Sequence, residues 1–118
     1  MPNYIRARAS GGTFFFTVTL ADRSSDLLVE RVEDLRASFD LVQRDMPFQC
    51  DAMVVLPDHL HAVWTLPDGD EDFSTRWKRI KAGFSKSVGI KTPRSHSQAS
   101  KGEVGIWQRR FWEHCIRD

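Results

Sequence analysis

Several signatures of common protein classes are missing from this chain of 118 residues. No apolar run approaches the roughly 20 residues that a membrane-spanning helix requires, and the N-terminus has no signal-peptide core. The only cysteines, Cys50 and Cys115, have neither CxxC spacing nor the density of a disulfide scaffold. We therefore expect a cytoplasmic protein without a membrane partner, in which both thiols stay reduced.

Three common catalytic motifs are also absent. The chain has no GxxxxGK[ST] phosphate loop, no HExxH zinc motif and no GxSxG nucleophile turn. A length of 118 residues, with 41% apolar and 28% charged residues, fits one ordinary globular domain. We predict a single domain over residues 1–118.

The net charge of +1 conceals an uneven distribution along the chain. Residues 1–72 carry 6 Lys and Arg against 13 Asp and Glu, whereas residues 73–118 carry 11 against 3. A basic concentration of this kind suits a surface that binds phosphates, because neutralising them releases condensed counterions. A solvated helix face followed by a basic loop would give the same count.

The apolar pattern predicts the order β-α-β-β-α-β. Strands are predicted at residues 13–20, 48–56, 59–66 and 107–116, and helices at residues 28–45 and 73–88. Asp72 or Ser74 can cap the second helix, and residues 89–105 have the composition of a loop. This order is the ferredoxin-like, split β-α-β plan, an α+β fold in which two helices cover one face of an antiparallel sheet.

Two histidines lie in the third predicted strand, in the segment Pro57-Asp58-His59-Leu60-His61. His59 and His61 are two residues apart, so both side chains point to one face of the strand and could bind one cation. The spacing fits a merely polar strand face equally well, because two ligands do not complete a metal site. Candidate additional ligands are Asp58, for which a turn role is favoured, and Glu113 and His114.

The last predicted strand interleaves aromatic and basic residues, a combination suited to stacking on unpaired bases while contacting phosphates. Trp107 and Trp112 are its tryptophans, and we expect one of them to be buried; for Trp77, in the second predicted helix, core packing is favoured. The predicted DNA contacts are Arg76, Lys78, Arg79, Lys81, Lys86, Trp107, Arg109, Arg110 and His114. These features favour a metal-dependent nuclease or transesterase that acts on DNA.

Several separated motifs, in order and over nearly the whole chain, resemble the REP-associated tyrosine transposases, which belong to the single-tyrosine HUH transposases of the insertion-sequence type. They are Pro2-Asn3-Tyr4-Ile5-Arg6, the strand at residues 12–18, Pro57-Asp58-His59-Leu60-His61, Ser74-Thr75-Arg76-Trp77, and Trp107-Gln108-Arg109-Arg110-Phe111-Trp112-Glu113-His114.

The resemblance implies an HUH-type nuclease core that nicks and joins single-stranded DNA at palindromic hairpin elements with Mg²⁺ or Mn²⁺. It implies that His59 and His61 bind the metal and that Tyr4 and Arg6 lie in an arm that contacts DNA. In this family a tyrosine on a helix after the last strand attacks the phosphate, and a covalent 5′-phosphotyrosine and a free 3′-OH result.

The chain departs from the family pattern at the nucleophile. Its single tyrosine is Tyr4, so no catalytic residue is assigned, and we expect the tyrosine-bearing helix to lie beyond Asp118. One alternative is a DNA-binding remnant that does not cleave. A weaker alternative is an RNA-binding module, which is disfavoured because the exposed face of the first strand offers threonines more than aromatic rings.

Overall fold

The computed structural model describes residues 12–89 and 105–116. Its elements are β1 (Thr13–Thr19), α1 (Leu27–Glu30), α2 (Val32–Asp45), β2 (Gln49–Val55), β3 (His59–Thr65), α3 (Phe73–Val88) and β4 (Trp112–Ile116). The predicted contacts Tyr4 and Arg6, and nearly all of the predicted loop, lie outside these ranges. Within them, no helix is both long enough and apolar enough to cross a membrane.

The four strands form one sheet in the order β2-β3-β1-β4, and every neighbouring pair is antiparallel. Phe39 of α2 and Trp77 of α3 both contact Trp64 of β3, at ring-centroid distances of 5.9 and 4.4 Å. Both long helices therefore pack on the same face of the sheet. The predicted α+β fold with a ferredoxin-like strand order is confirmed.

Alternation along β1 and β3 separates a buried face from an open one. Phe14, Phe16 and Val18 of β1 are at most 4% exposed, while the residues between them are only partly buried. In the core, the indoles of Trp64 and Trp77 stack within 13° of parallel, and both residues are fully buried. The core role expected for Trp77 is confirmed, and the sheet's other face carries polar and aromatic side chains together with a few aliphatic ones such as Val54 and Val63.

The first predicted helix is broken in two at Arg31, which adopts φ −117° and ψ 37°. The short helix α1 is held separately, because Leu28 is fully buried and its N–H donates to the Pro57 carbonyl at 3.2 Å. The second predicted helix begins as expected, since the Asp72 carboxylate accepts the Thr75 N–H at 3.0 Å.

The two long helices approach closely where Gly83 of α3 faces Ser38 of α2. The Ser38 hydroxyl donates to the Ile80 carbonyl at 2.8 Å, so the contact is hydrogen-bonded as well as packed. A Cβ atom at position 83 would overlap with Ser38 Oγ. A side chain at position 83 would therefore require the Ser38 side chain, with its hydrogen bond to Ile80, or the helix to shift.

The last strand is shorter than predicted. β4 begins at Trp112, whereas residues 107–111 cross toward α3 and make a single bridge between Trp107 and Leu20. Trp107 is anchored by its indole N–H, which donates to the Lys81 carbonyl at 3.1 Å. The segment therefore docks on α3 and does not follow the extended course that the aromatic and basic pattern had predicted.

Candidate functional site

The two histidines lie side by side on the open face of the sheet, at the start of β3. Their imidazole centroids are 5.0 Å apart and the rings are nearly perpendicular, at 79°. His59 pairs with Thr19 and His61 with Thr17 in the register with β1. A central strand pair therefore holds both rings, and the fixed spacing needs no loop to become ordered.

Each imidazole has its Nδ1 atom occupied by a neighbouring oxygen. Nδ1 of His59 lies 2.9 Å from Asp58 Oδ1, and Nδ1 of His61 lies 2.9 Å from Thr17 Oγ1. When Nδ1 donates to these oxygens, the lone pair on Nε2 is available for a cation. The two Nε2 atoms are thus the atoms of the pair that could coordinate a cation.

Asp58 is held as a carboxylate in the turn before β3. A hydrogen bond from the Arg23 guanidinium, followed by the bond with His59, lowers the pKa of Asp58 to about 2. An ionised carboxylate can only accept, so His59 Nδ1 carries the hydrogen. The turn role predicted for Asp58 is confirmed, and Asp58 also orients the histidine.

An aromatic strip extends from the histidines across β1 to β4. Phe15 stacks on His61 at 5.5 Å and meets the edge of Trp112 at 5.7 Å, and Trp112 is parallel to His114 within 10°. Trp112 is 55% exposed. An exposed indole, stacked on one imidazole and separated from another by Phe15, gives the open face a surface on which an unpaired base could stack.

The candidate additional ligands are distributed over both faces. His114 pairs with Phe15 and lies on the open face, whereas Glu113 pairs with Phe16 of the buried face and so points the other way. Among residues 12–89 and 105–116, no group of three or more His, Cys, Asp or Glu side chains is arranged to hold a metal ion. The described residues supply the histidine pair and no third protein ligand.

Arg76 is not available to DNA, and its predicted contact is wrong. The side chain is 2% exposed, and its five N–H groups donate to five acceptors at 2.8–3.1 Å. Two of these acceptors are the carboxylate oxygens of Asp70, and the others are the carbonyls of Met46, Pro47 and Asp72. Arg76 instead joins the start of α3 to the end of α2.

The other predicted cations lie at the surface in different settings. Lys78 and Lys86 are exposed on α3, and so are Arg109 and Arg110 in the segment before β4. Arg79 forms an ion pair with Asp45 at 2.7 Å, and Lys81 Nζ donates to the Gln108 carbonyl at 3.0 Å. Their roles in binding DNA stay predictions.

Trp107 is the buried member of the tryptophan pair, at 8% exposure. The prediction that it stacks on bases from an open strand is therefore wrong, and Trp112 occupies that position. Trp107 instead forms one wall of a cleft of about 380 Å³ between α3 and residues 105–111.

Sequence reasoning assigned no role to Thr17, Phe15 or Arg23. Alternation along β1 places Thr17 on the open face and could have placed Phe15 there, but their contacts with His61 depend on a strand register that one sequence does not specify. Arg23 lies 35 residues from Asp58, and no local pattern links them.

Two proteins are similar to this chain over its whole length. The REP-associated tyrosine transposase of Escherichia coli K12 is 47% identical over 118 residues, which are 64% of its own length. A Haemophilus influenzae protein, provisionally named as a REP-associated tyrosine transposase, is 37% identical over 123 residues, 68% of its length. The chain thus spans just under two thirds of the first relative, and no family model matches it.

Solved structures show the same fold. A REP-associated tyrosine transposase bound to a REP hairpin superimposes with a TM-score of 0.79 at 48% identity, over 92% of this chain and 58% of that one. A provisionally named transposase from Deinococcus radiodurans shares the fold alone, with a TM-score of 0.64 at 13% identity, over 90% of this chain and 79% of that one. From the Haemophilus relative, of which more than two thirds is matched, it follows that this chain belongs to the REP-associated tyrosine transposases.

Proposed function

We propose that this chain is the DNA-binding core of a transposase that acts on hairpin-forming single-stranded DNA, with His59 and His61 holding a divalent cation. The observation that carries the proposal is the pair of imidazoles on the open face. Nδ1 of each ring is hydrogen-bonded to a neighbouring side chain, so the lone pair of Nε2 is available to a cation. The setting would be the cytoplasm, where the DNA substrate is found.

Hairpin DNA is the substrate class that the relatives support. The structural relative at 48% identity is bound to a REP hairpin. On this chain, exposed cations on α3 and before β4 can neutralise phosphates, and Trp112 offers a ring for an unpaired base. Arg109 and Arg110 precede Trp112 by two or three residues, so one strand of DNA could engage both the cations and the ring.

The donor set fits a cation that completes its coordination with oxygen. Mg²⁺ keeps several waters and is usually bound through one or two carboxylates together with substrate phosphates, whereas imidazole is a ligand that transition metals favour. Two imidazoles without a third protein ligand among the described residues would leave the other coordination positions of a divalent cation to water and phosphate oxygens. We infer that Mg²⁺ or Mn²⁺ is bound by His59 and His61 and that DNA phosphate oxygens complete the site.

The residues around the pair would position the reacting phosphate. Asp58 and Thr17 orient the two rings through Nδ1, which would leave both Nε2 atoms for a cation bound between the sheet and the DNA. When bound, the cation would polarise the scissile phosphodiester and stabilise the charge that develops on it. No nucleophile is assigned to a residue of this chain.

A second candidate function is DNA binding without cleavage. The observation that favours it is the composition, because the single tyrosine is Tyr4, near the N-terminus and away from the family's nucleophile position. The two candidates predict the same DNA affinity and differ in whether a covalent adduct can form.

The metal proposal is tested by titrating Mn²⁺ into the hairpin complex in a calorimeter. The double variant His59→Ala/His61→Ala should lose Mn²⁺ binding, while His114→Ala, on the same face but outside the pair, should keep it. Unchanged Mn²⁺ binding in the double variant would refute the assignment.

The two candidate functions are separated by incubating the chain with labelled REP hairpin DNA and Mn²⁺, followed by a denaturing gel. We expect binding in a native gel and no covalent adduct from this chain. An adduct would contradict the noncleaving candidate and would show that the chain holds a nucleophile. An RNA hairpin of matched sequence that bound as tightly as the DNA would refute DNA as the substrate.

A further inference from the structure

Arg23 lies in the turn that follows β1, close to the residue that precedes β3. The Leu20 N–H donates to the Asp58 carbonyl at 2.8 Å, so the end of β1 is bonded to the turn before the histidines. The Asp22 carboxylate accepts the backbone N–H of Ser24 at 3.0 Å and the Ser24 hydroxyl at 2.7 Å, which closes a local turn around Arg23. The backbone that carries the Arg23 side chain is therefore held in place by its neighbours.

The Arg23 guanidinium is bound on one side and open on the other. Its Nε donates to Asp58 Oδ2, yet the side chain is 62% exposed. Within the part of the chain that the structure describes, its two terminal nitrogens have no hydrogen-bond partner. The N–H groups of these nitrogens form a planar fork that matches the oxygens of a phosphate. Arg23 can therefore bind an anion while its Nε stays on Asp58.

Asp58 connects this guanidinium to the first histidine of the pair. One oxygen of its carboxylate accepts from Arg23, and the other lies 2.9 Å from Nδ1 of His59. The Asp58 side chain is only 14% exposed, so water competes little for either bond. Because one planar carboxylate makes both bonds, ordering the guanidinium also orders the imidazole.

The two ends of this chain of hydrogen bonds would meet different phosphates of a bound DNA strand. Nε2 of His59 is the atom that could coordinate a cation, with a DNA phosphate completing the site. A carboxylate, an imidazole ring and two hydrogen bonds separate the guanidinium from that atom. A phosphate bound by Arg23 would therefore be a neighbour of the phosphate at the cation.

Positive charge reaches the same end of β1 from the opposite side. The Gln108 N–H donates to the Thr19 carbonyl at 3.0 Å, and the exposed Arg109 and Arg110 follow directly. Arg23 comes four residues after Thr19, on the side of β3. Cations on both sides of this strand end suit a DNA strand that crosses the sheet there.

We propose that Arg23 binds a DNA phosphate next to the one at the cation and, through Asp58, couples DNA binding to the orientation of His59. This inference rests on the proposed function and adds to it a phosphate contact and a link between the two ligands. A phosphate on the terminal nitrogens restricts the motion of the guanidinium, so less freedom is left to lose when the cation binds. By linkage, the cation tightens DNA binding by the same factor.

The phosphate contact is tested by fluorescence anisotropy with labelled REP hairpin DNA that has unpaired ends, in EDTA and over a range of salt concentrations. Arg23→Met should weaken binding by about threefold to tenfold and reduce the slope of log affinity against log salt by about 0.7–0.9, the value of one phosphate. Its melting temperature should change little, because Arg23 is largely exposed. Arg36→Met is the matched control, since Arg36 is also exposed and ion-paired but lies on α2, behind the sheet. It should leave the affinity and the slope unchanged.

The link to the cation is tested by calorimetric titration of Mn²⁺ into the free protein and into the hairpin complex. In the parent the hairpin should tighten Mn²⁺ binding, and in Arg23→Met this gain should be smaller by about threefold or more. Arg23→Lys separates the two parts of the proposal, because lysine keeps the charge but lacks the planar fork that holds Asp58 and a phosphate together. It should keep the salt slope of the parent and show the reduced gain of Arg23→Met.

Two results would overturn the inference while leaving the proposed function intact. One is an Arg23→Met protein that binds the hairpin in EDTA with the affinity and salt slope of the parent. The other is an Arg23→Lys protein in which the hairpin tightens Mn²⁺ binding as much as in the parent. A parent chain that binds no hairpin, or no Mn²⁺ in the hairpin complex, would instead refute the proposed function, and the role of Arg23 with it.

Discussion

Replacing Arg76 by methionine separates a structural role from a DNA contact. The guanidinium donates five hydrogen bonds from a site that is 2% exposed, so methionine would leave three carbonyls and the Asp70 carboxylate without their partner. Removal of one member of a buried pair costs about 3–5 kcal/mol. Because the Asp70 side chain is 31% exposed and can be rehydrated, we expect the lower end, about 3 kcal/mol.

The assay is urea unfolding followed by tryptophan fluorescence, which reports on the buried stack of Trp64 and Trp77. A loss of about 3 kcal/mol is a large part of the roughly 5–15 kcal/mol available to a small domain. With a slope of about 1–3 kcal/mol per molar, the midpoint should fall by about 1–3 M urea. Arg79→Met is the matched control, because its exposed ion pair with Asp45 should be worth at most about 1 kcal/mol.

Arg76→Lys distinguishes the two roles further. Lysine keeps the charge that would attract a phosphate, but its three donors cannot replace the planar array of five. We expect it to remain destabilised while the folded protein binds hairpin DNA normally. An Arg76→Met protein that is as stable as the parent, or that binds DNA more weakly while fully folded, would refute the reasoning.

Three further predictions follow from the packing, the charges and the open face. Gly83→Ala should destabilise the fold by about 1–3 kcal/mol, because the new methyl group overlaps with Ser38 Oγ. This loss should be smaller in a Ser38→Ala background. Thermal unfolding of the parent, the two single variants and the double variant measures the interaction between the two positions. The hydrogen bond from Arg76 lowers the pKa of Asp70 in the folded protein. The ionised Asp70 carboxylate therefore stabilises the fold above about pH 4, and this stabilisation is lost as the pH falls through the folded-state pKa. The difference in unfolding free energy between the parent and Asp70→Asn should therefore be constant near neutrality and disappear in acid. A difference that grew in acid would contradict this prediction. Trp112→Ala should weaken binding of unpaired DNA by about tenfold with little change in melting temperature, because the ring is 55% exposed; a large loss of stability would mean that Trp112 belongs to the core.

The sequence predicted the fold well because local patterns determine it. Alternation placed Phe14, Phe16 and Val18 on one face, and the apolar stripe of α3 correctly placed Trp77 in the core. The same period put His59 and His61 together on the open face. In these cases a local period of two or 3.6 residues was sufficient, since no distant partner had to be known.

Predictions about individual charged and aromatic residues failed where a distant partner decides the environment. Arg76 belongs to a helix that is rich in basic residues, which predicts an exposed side chain. It is buried because it bonds to Asp70 and to the carbonyls after α2. Trp107 and Trp112 belong to one aromatic and basic segment, and Trp107 is the buried one because it docks on α3, where it contacts Phe84 and bonds to the Lys81 carbonyl. Neither outcome follows from spacing, because each depends on how two elements dock.

The alternation at β4 has a consequence for how such a protein can change over evolutionary time. Phe111 and Trp112 are adjacent in sequence but serve the cleft and the open face respectively. Inserting or deleting one residue beside them would turn a strand of five residues over and exchange the two surfaces at once. Point substitutions, in contrast, alter one surface at a time. We therefore expect relatives to differ at this edge of the sheet by substitutions, and not by insertions or deletions.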